Sequence, residues 1–500
     1  MPIKYLYGAA IQGIQGFIFQ TNELQDIIGA SELVKQICDD LFKDLFEEIG
    51  ITYHSENAIL KAAGNIKYIF DNEEDCKKIV LSFPKKVMTF APGITISQAV
   101  VSMNGPFKDS VDLLEERLRI QRNKAVRNMT LGLTGIQRSR TTGLPVSIKK
   151  GNEYLDAPTH SKRANSETDS KLCDKCFGAG EIKKRQLAYN IKDITGQNNW
   201  IAVIHADGNG LGKIVQAIGR DENAFKDFSE KLDEATTNAA RKAFEEIKPY
   251  FKDETIIPIR PVVLGGDDFT AICRGEFAVP YAAAFLEAFE EETYQRLSHI
   301  LKDASGIKFD RLTACAGIAF IKSNYPFYYG YDLAESLCER AKKDAKKQER
   351  LVNGLAQSSL MFHKVQDSFV EEFSDIVERE LTPQKDVSWE FGPYYLHDQN
   401  NADRWTIATL LDQIQQLDRD ENHSIKSHLR RWMSEMHYNS DSANEIKNRM
   451  IQNFPDHKDM IETMLLGNHE RDDSDSRKYR VYPVYDLLVL NTVMNQKTNG

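Results

Sequence analysis

The chain has 500 residues, 41% hydrophobic and 28% charged, and 64 Lys plus Arg against 74 Asp plus Glu give a formal net charge of −10. That length implies several domains, and the acidic balance excludes a nonspecific nucleic-acid coat, whose binding rests on surplus cations; RNA contact through a local basic patch or a partner subunit stays open. Seven cysteines are too few for a disulfide scaffold, no apolar run reaches the ~18 residues of a membrane span, and the N-terminus lacks signal-peptide architecture, so a cytoplasmic chain with no membrane partner is expected.

In chain order, residues 5–19 (YLYGAAIQGIQGFIF) read as a strand entering a glycine-rich turn and a helix. Leu60–Phe70 reads as strand–turn–strand, followed by a helix at Glu73–Leu81 and a strand at Gly93–Met103. Residues 130–197 are polar and irregular, including the stretch Thr159–Lys171, and contain Cys173-Asp174-Lys175-Cys176. Trp200–Ala206 is a continuous apolar run, the signature of a buried strand, and it ends at Asp207. Gly208-Asn209-Gly210-Leu211-Gly212 is a tight turn before helical sequence to about Ile247. Pro261–Leu264 and Phe269–Cys273 flank Gly265-Gly266-Asp267-Asp268, a hairpin signal. A helix at about Ala278–Leu301, a strand at Leu312–Ile321 and a helix from Asp332 to about Lys347 follow.

The order βαββαβα is that of a ferredoxin-like palm. Its first and third strands are antiparallel neighbours, so Asp207, Asp267 and Asp268 are predicted to converge at one sheet edge. Beyond residue 350, amphipathic helical patterns cover 364–380, 404–417 and 423–453, with Asp- and Asn-rich loops at 382–403 and 467–479.

Comparison of the two halves points to a repeat. Aligning Gly16 with Gly212 sets Ile11 opposite Asp207; aligning Gly64 with Gly266 sets Asn65 and Ile66 opposite Asp267 and Asp268. The first palm has lost every acidic ligand. The expected fold class is therefore α+β: two ferredoxin-like palm domains, the first degenerate (1–129), an irregular connector (130–197), the second palm (198–349) and a C-terminal helical domain (350–500).

Carboxylates clustered at a sheet edge suit two-metal nucleotidyl transfer, because Mg²⁺ or Mn²⁺ takes hard oxygen ligands. Asp207, Asp267 and Asp268 are the candidate catalytic and metal-binding residues. Gly208, Asn209, Gly210, Gly265 and Gly266 are candidate nucleotide contacts, since a triphosphate must approach backbone unobstructed by Cβ atoms. Lys342 and Lys346, four apart on one helix face, suit its charge. The Walker and dinucleotide-fold spacings both fail at Gly208–Lys213. In the first palm, Gln12, Gly13, Gly16 and Ser31 are candidate contacts for a second ligand. Cys173 and Cys176 form one pair where structural zinc needs four ligands. His160 offers a third and no fourth is identifiable, so two free thiols in a turn are the stronger reading. His397-Asp398 reads as a loop.

Taken together, Ile11–Val34 (IQGIQGFIFQTNELQDIIGASELV), HADGNGLG (His205–Gly212), GGDD (Gly265–Asp268), the Ala341-Lys342-Lys343 helix and SSLMFHKV (Ser358–Val365) resemble the large palm-domain subunit of type III CRISPR–Cas effector complexes, in its Cmr-type form. The resemblance implies two facing palms, each holding a nucleotide, with metal only in the second. It also implies cyclic oligoadenylate made from ATP when target RNA is bound, and partnership with other type III effector subunits, CRISPR RNA and target RNA. It admits members that join ATP to S-adenosylmethionine. Because the first palm starts at residue 3, the HD nuclease domain of many members, and DNase activity with it, is expected to be absent. The first cysteine pair of the family's zinc module is replaced by RTTGLPV (Arg140–Val146), which puts zinc in doubt.

The leading expectation is a target-RNA-activated nucleotidyltransferase making an adenylate second messenger. ATP in the second palm is attacked at its α-phosphate by the 3′-hydroxyl of a ligand in the first. One rival is a non-catalytic scaffold, against which three intact acids argue. The other is a free-standing diguanylate cyclase, whose signature has Glu where Asp268 stands.

Overall fold

The computed structural model describes residues 3–62, 64–124, 135–168, 171–196, 198–218, 221–252, 254–366, 372–399, 403–419, 422–466, 469–472 and 478–494. The boundary expected at 129/130 and parts of the loops 382–403 and 467–479 lie outside the described residues.

The first sheet is built from β1 (Lys4–Gln12), β2 (Ala58–Ala62), β3 (Asn65–Phe70) and β4 (Thr95–Met103), in the order β2-β3-β1-β4. Leu6 to Ala10 of β1 are all buried, because helices cover both faces of the sheet. Leu6, Ile69 and Val101 meet α4 (Phe107–Arg122) on one face. Tyr7, Tyr68 and Phe70 join the main core on the other face, with α1 (Ile14–Ile18), α2 (Leu24–Gln36) and α3 (Glu73–Phe90). The Asn72 side chain accepts from the Asp75 amide and fixes the start of α3.

The connector is more regular than its composition implies. A hairpin of β5 (Val146–Lys150) and β6 (Glu153–Asp156) leads to α5 (Ala157–Thr168) and α6 (Lys171–Phe177), so Thr159–Lys171, read as irregular, is largely helical. Its polar residues find partners on the first palm: Lys162 Nζ donates to the Phe17 carbonyl at 2.6 Å, and Arg163 pairs with Asp26 at 2.8 Å. Gly29 lets α2 approach α5, since a Cβ there would stand 1.7 Å from the Lys162 carbonyl oxygen.

The second palm runs β7 (Trp200–Gly208), α7 (Leu211–Ile218), α8 (Glu222–Ile247), β8 (Ile259–Gly265), β9 (Asp268–Arg274), α9 (Gly275–Asp303), β10 (Ala314–Lys322) and α10 (Phe327–Ala345). The order β8-β9-β7-β10 repeats that of the first palm. The sheet does not stop there. β11 (Ser359–Lys364) adds parallel to β10, and Tyr394–Tyr395 adds antiparallel to β11. The segment beyond 350 is therefore not purely helical. Ser359–His363 is buried throughout, and that burial draws the run into the sheet. The helix expected at 364–380 is confined to Phe373–Glu380 among the described residues, and 367–371 lie outside them. The pattern at 404–417 is a helix at Ile407–Leu417. That at 423–453 divides into His423–Met436 and Ser440–Asn453, where the Asn439 side chain caps the second helix. Val387–Ser388, His469–Asp472 and Lys478–Val481 form a three-stranded sheet.

Strand register corrects the alignment of the repeat by one residue. Ala62 pairs with Asn65 as Gly265 pairs with Asp268, and Ala10 pairs with Asn65. In β7 and β9, Ala206 pairs with Phe269, which carries Asp207 opposite Asp268. Ala10, Gly64 and Asn65, rather than Ile11, Asn65 and Ile66, thus stand in the places of Asp207, Asp267 and Asp268. Gly13 (φ 60°) then matches Gly210 (φ 79°), each immediately before its helix. Gln12 matches Asn209, and Gln12 Nε2 donates to Ser97 Oγ as Asn209 Nδ2 donates to Cys315 Sγ. Ser97 and Cys315 occupy the same register place, opposite Ala10 and Asp207.

Candidate active site

The site forms where β7 ends beside the β8–β9 hairpin. Gly266 (φ 63°) and Asp267 make a two-residue turn closed by the Gly265–Asp268 pair. Positive φ at the first central position is what glycine supplies. Thr236 of α8 donates its hydroxyl to the Gly266 carbonyl at 2.6 Å and holds the turn from below. Across the turn, a Cβ on Gly208 would stand 2.9 Å from Asp267 Cβ and 3.0 Å from its Oδ2. The missing side chain at 208 is what lets Asp267 fold in beside Asp207. Carboxylate oxygens of Asp207, Asp267 and Asp268 lie within 4.8 Å of one another, as the sequence predicts.

Their electrostatics follow from crowding. Burial, then the Asp207 charge, pushes the Asp268 carboxyl up to about 7, with Lys342 opposing and Glu335 adding to the rise. Burial, then Asp268 and Asp207, raises Asp267 well above the usual carboxylate range. Lys342 of α10 bonds the Asp207 carboxylate and donates to the Gly208 carbonyl at 2.9 Å. Burial opposes the charge on Lys342, but Asp207 outweighs it and raises its pKa. Three hard oxygen donors under mutual repulsion fit a divalent cation such as Mg²⁺ or Mn²⁺.

The other expected contacts separate into groups. Lys346 is exposed one turn beyond Lys342, and both line an open groove with Asp207 and Lys343. Gly210 and Gly265 shape the two turns. Asn209 is buried and donates to Thr313 Oγ1 at 3.1 Å, tying β7 to the start of β10. In the first palm, Gln12 is used within its own sheet. Gly13 and Gly16 are exposed, and a Cβ added at either would meet no atom within 4 Å. Ser31 does line the space between the palms, with its hydroxyl bonded to the Val262 carbonyl.

Cys173 and Cys176 lie in α6 rather than a turn, buried in the main core. Burial pushes the Cys173 thiol up to about 11 and Cys176 well above its ordinary value. Among the described residues the aspartate triad is the one group of three or more acidic, His or Cys side chains close enough to share a metal. His397 is in a loop and meets Glu290 at 3.2 Å.

A cleft runs between the palms to the aspartate edge. Ile14, Gln15 and Ser31 line it from the first palm, and His205, Asp268, Thr270 and Tyr331 from the second. Tyr331 of α10 joins the two: it stacks on Phe19 at 4.7 Å, Gln15 reaches its hydroxyl, and its ring lies T-shaped to His205 with centroids 5.5 Å apart. Glu335, one turn further along α10, is half-buried and has its carboxyl raised by burial, then by Glu339, Asp332 and Asp207. Sequence reasoning missed His205, Thr270, Tyr331 and Glu335. The signal for the first two was strand periodicity, because His205 precedes Asp207 by two and Thr270 follows Asp268 by two.

Two palm sheets meet at this cleft, and the edge of one carries an aspartate triad and a lysine. Residues 200–352 match the family model described as Cas10/Cmr2, second palm domain. In fold, the chain is similar to Csm1 in a Csm1–Csm4 cassette solved with pppApApA (TM-score 0.60, 12% identity, 99% of this chain and 70% of that chain). It is likewise similar to the cassette solved with cA3 (TM-score 0.56, 13% identity, 99% and 69%), and to Csm1 from T. onnurineus (TM-score 0.54, 14% identity, 99% and 70%). No curated protein matches the chain in sequence. Among the described residues no helix is long and apolar enough to cross a membrane.

Proposed function

We propose that the chain is the nucleotidyltransferase subunit of a type III CRISPR effector complex, activated by target RNA, and that it makes an adenylate second messenger from ATP. The observation that carries this reading is the triad: three carboxylates within 4.8 Å at the edge of a palm sheet, with Lys342 on Asp207. Cyclic oligoadenylate is the leading product. The similar folds solved with pppApApA and cA3 support it.

Asp207, Asp267 and Asp268 would hold Mg²⁺ or Mn²⁺. When bound, the metal supplies charge stabilisation for the attacking and leaving oxygens. The residues of the chain do the rest. Lys342, Lys343 and Lys346 give the triphosphate a cationic groove, the glycines at 208, 210 and 266 clear backbone for it, and the cleft presents an acceptor hydroxyl. The 3′-oxygen bonds to the α-phosphorus, the bond from that phosphorus to the bridging oxygen breaks, pyrophosphate leaves with the electron pair, and the hydroxyl proton passes to water.

Conjugation of ATP with S-adenosylmethionine is a second reading, favoured by the mixed charge of the cleft. Lys35, Lys61 and Lys175 share it with Asp39 and Asp233, a lining that suits a zwitterionic amino-acid group as well as a phosphate. Changing Asp267→Asn together with Asp268→Asn should abolish product while leaving assembly and RNA binding intact. Full activity in the double variant would overturn the assignment.

A further inference from the structure

One layer below the metal acids, on the same face of the second sheet, lies a polar pair that the triad chemistry does not use. His205 and Thr270 are directly paired across β7 and β9, two residues before Asp207 and two after Asp268. Side chains two apart on a strand share a face, so this pair continues the Asp207–Asp268 column into the inter-palm cleft, which both residues line. His205 is only 7% exposed. Its Nδ1 meets Thr270 Oγ1 at 3.1 Å, and the Tyr331 ring packs T-shaped against the imidazole. Nε2 has no hydrogen-bond partner among the described residues. A ring nitrogen with no partner within the protein, on a side chain held from two sides and lining a cleft, is available to a ligand.

We propose that His205 Nε2 bonds the 2′-hydroxyl of the acceptor ribose in the cleft and so positions the adjacent 3′-hydroxyl for attack. This rests on the reading that the cleft holds the acceptor. It makes His205 a positioning and specificity residue, with Thr270 and Tyr331 orienting it, and it requires a ribonucleoside rather than a deoxyribonucleoside acceptor. Adenosine, the part that ATP and S-adenosylmethionine share, contains the recognised group.

The test is the binding of adenosine and 2′-deoxyadenosine to the full chain, alongside product formation from ATP in the assembled, RNA-loaded complex. The wild type should favour adenosine about tenfold, the size of one hydrogen bond. His205→Phe should bind both nucleosides equally, at the weaker level. His205→Gln, whose amide nitrogen reaches the place of Nε2, should restore part of the preference. If His205→Phe keeps the preference, or if adenosine fails to bind a chain that still makes product, the role of His205 is overturned and the nucleotidyltransferase reading stands. No adenylate product from the wild-type complex overturns that reading instead.

Discussion

At Gly208 a single absent side chain sets the active-site geometry. A Cβ there would meet Asp267 at 2.9 Å and Leu211 Cδ1 at 2.6 Å. Gly208→Ala is expected to push Asp267 out of the triad and lower product formation at least tenfold, on the scale of displacing a metal ligand's supporting contacts. Gly212→Ala, where nothing lies within 4 Å, should be close to neutral; rates and melting temperatures of the two variants check this. The raised carboxyls of Asp267 and Asp268 make a pH prediction. Below about pH 4 folded and unfolded chains are both protonated at these positions. From there through about 7 the folded chain keeps protons that the unfolded chain has released, so this contribution to stability is lost as pH rises. Melting in chelator should show wild-type stability falling from pH 5 to pH 8 relative to Asp267→Asn/Asp268→Asn, and added Mg²⁺ should reverse the fall. The triad was legible because glycine-flanked acids at a strand end and in a hairpin have few other uses. Adjacency in sequence to Asp207 does not reveal that the amide of Asn209 turns inward to Thr313.

At the scale of elements, α10 links the aspartate edge to the rest of the molecule. Its Lys342 bonds Asp207. Two residues on, Asp344 is buried against Arg404 Nη2 at 3.0 Å and the Tyr395 hydroxyl at 2.8 Å. Burial alone would raise the Asp344 carboxyl, but Arg404, Lys347 and Arg350 outweigh it and hold it well below the usual range. Arg404→Met leaves part of that charge unmatched and is expected to cost about 3 kcal/mol of stability. It should also raise the KM for ATP more than it lowers kcat, because Lys342 loses its fixed footing; denaturant unfolding and steady-state kinetics separate the two effects. The contacts of Asp344 were not visible in the sequence, since their members are separated by up to 60 residues and carry no local pattern. The strands were legible where apolar runs are continuous, as at Trp200–Ala206. The β11 strand was hidden because its run, Ser359–Lys364, is short and lies beyond the palm's own four strands, so only its pairing with β10 reveals it.

At the scale of the whole molecule, the two palms share one architecture and differ in the residues at one sheet edge. Both keep the sheet order, the positive-φ glycine before the helix and the amide bond from the strand end to the fourth strand. Only one keeps the acids. Ala10, Gly64 and Asn65 leave the first palm without carboxylates to hold a divalent cation, while its α1 and α2 supply Ile14, Gln15 and Ser31 to the shared cleft. The repeat was legible from element order, but its register was not, because glycines align loosely when their turns differ in length and pairing alone fixes which residue stands opposite which. The most direct measurement is product formation from labelled ATP, GTP and S-adenosylmethionine by the assembled complex with target RNA and Mg²⁺. An adenylate product that needs the metal and vanishes in Asp267→Asn/Asp268→Asn is the expected result. A product made from GTP alone, or an adenylate product undiminished in that variant, would contradict it.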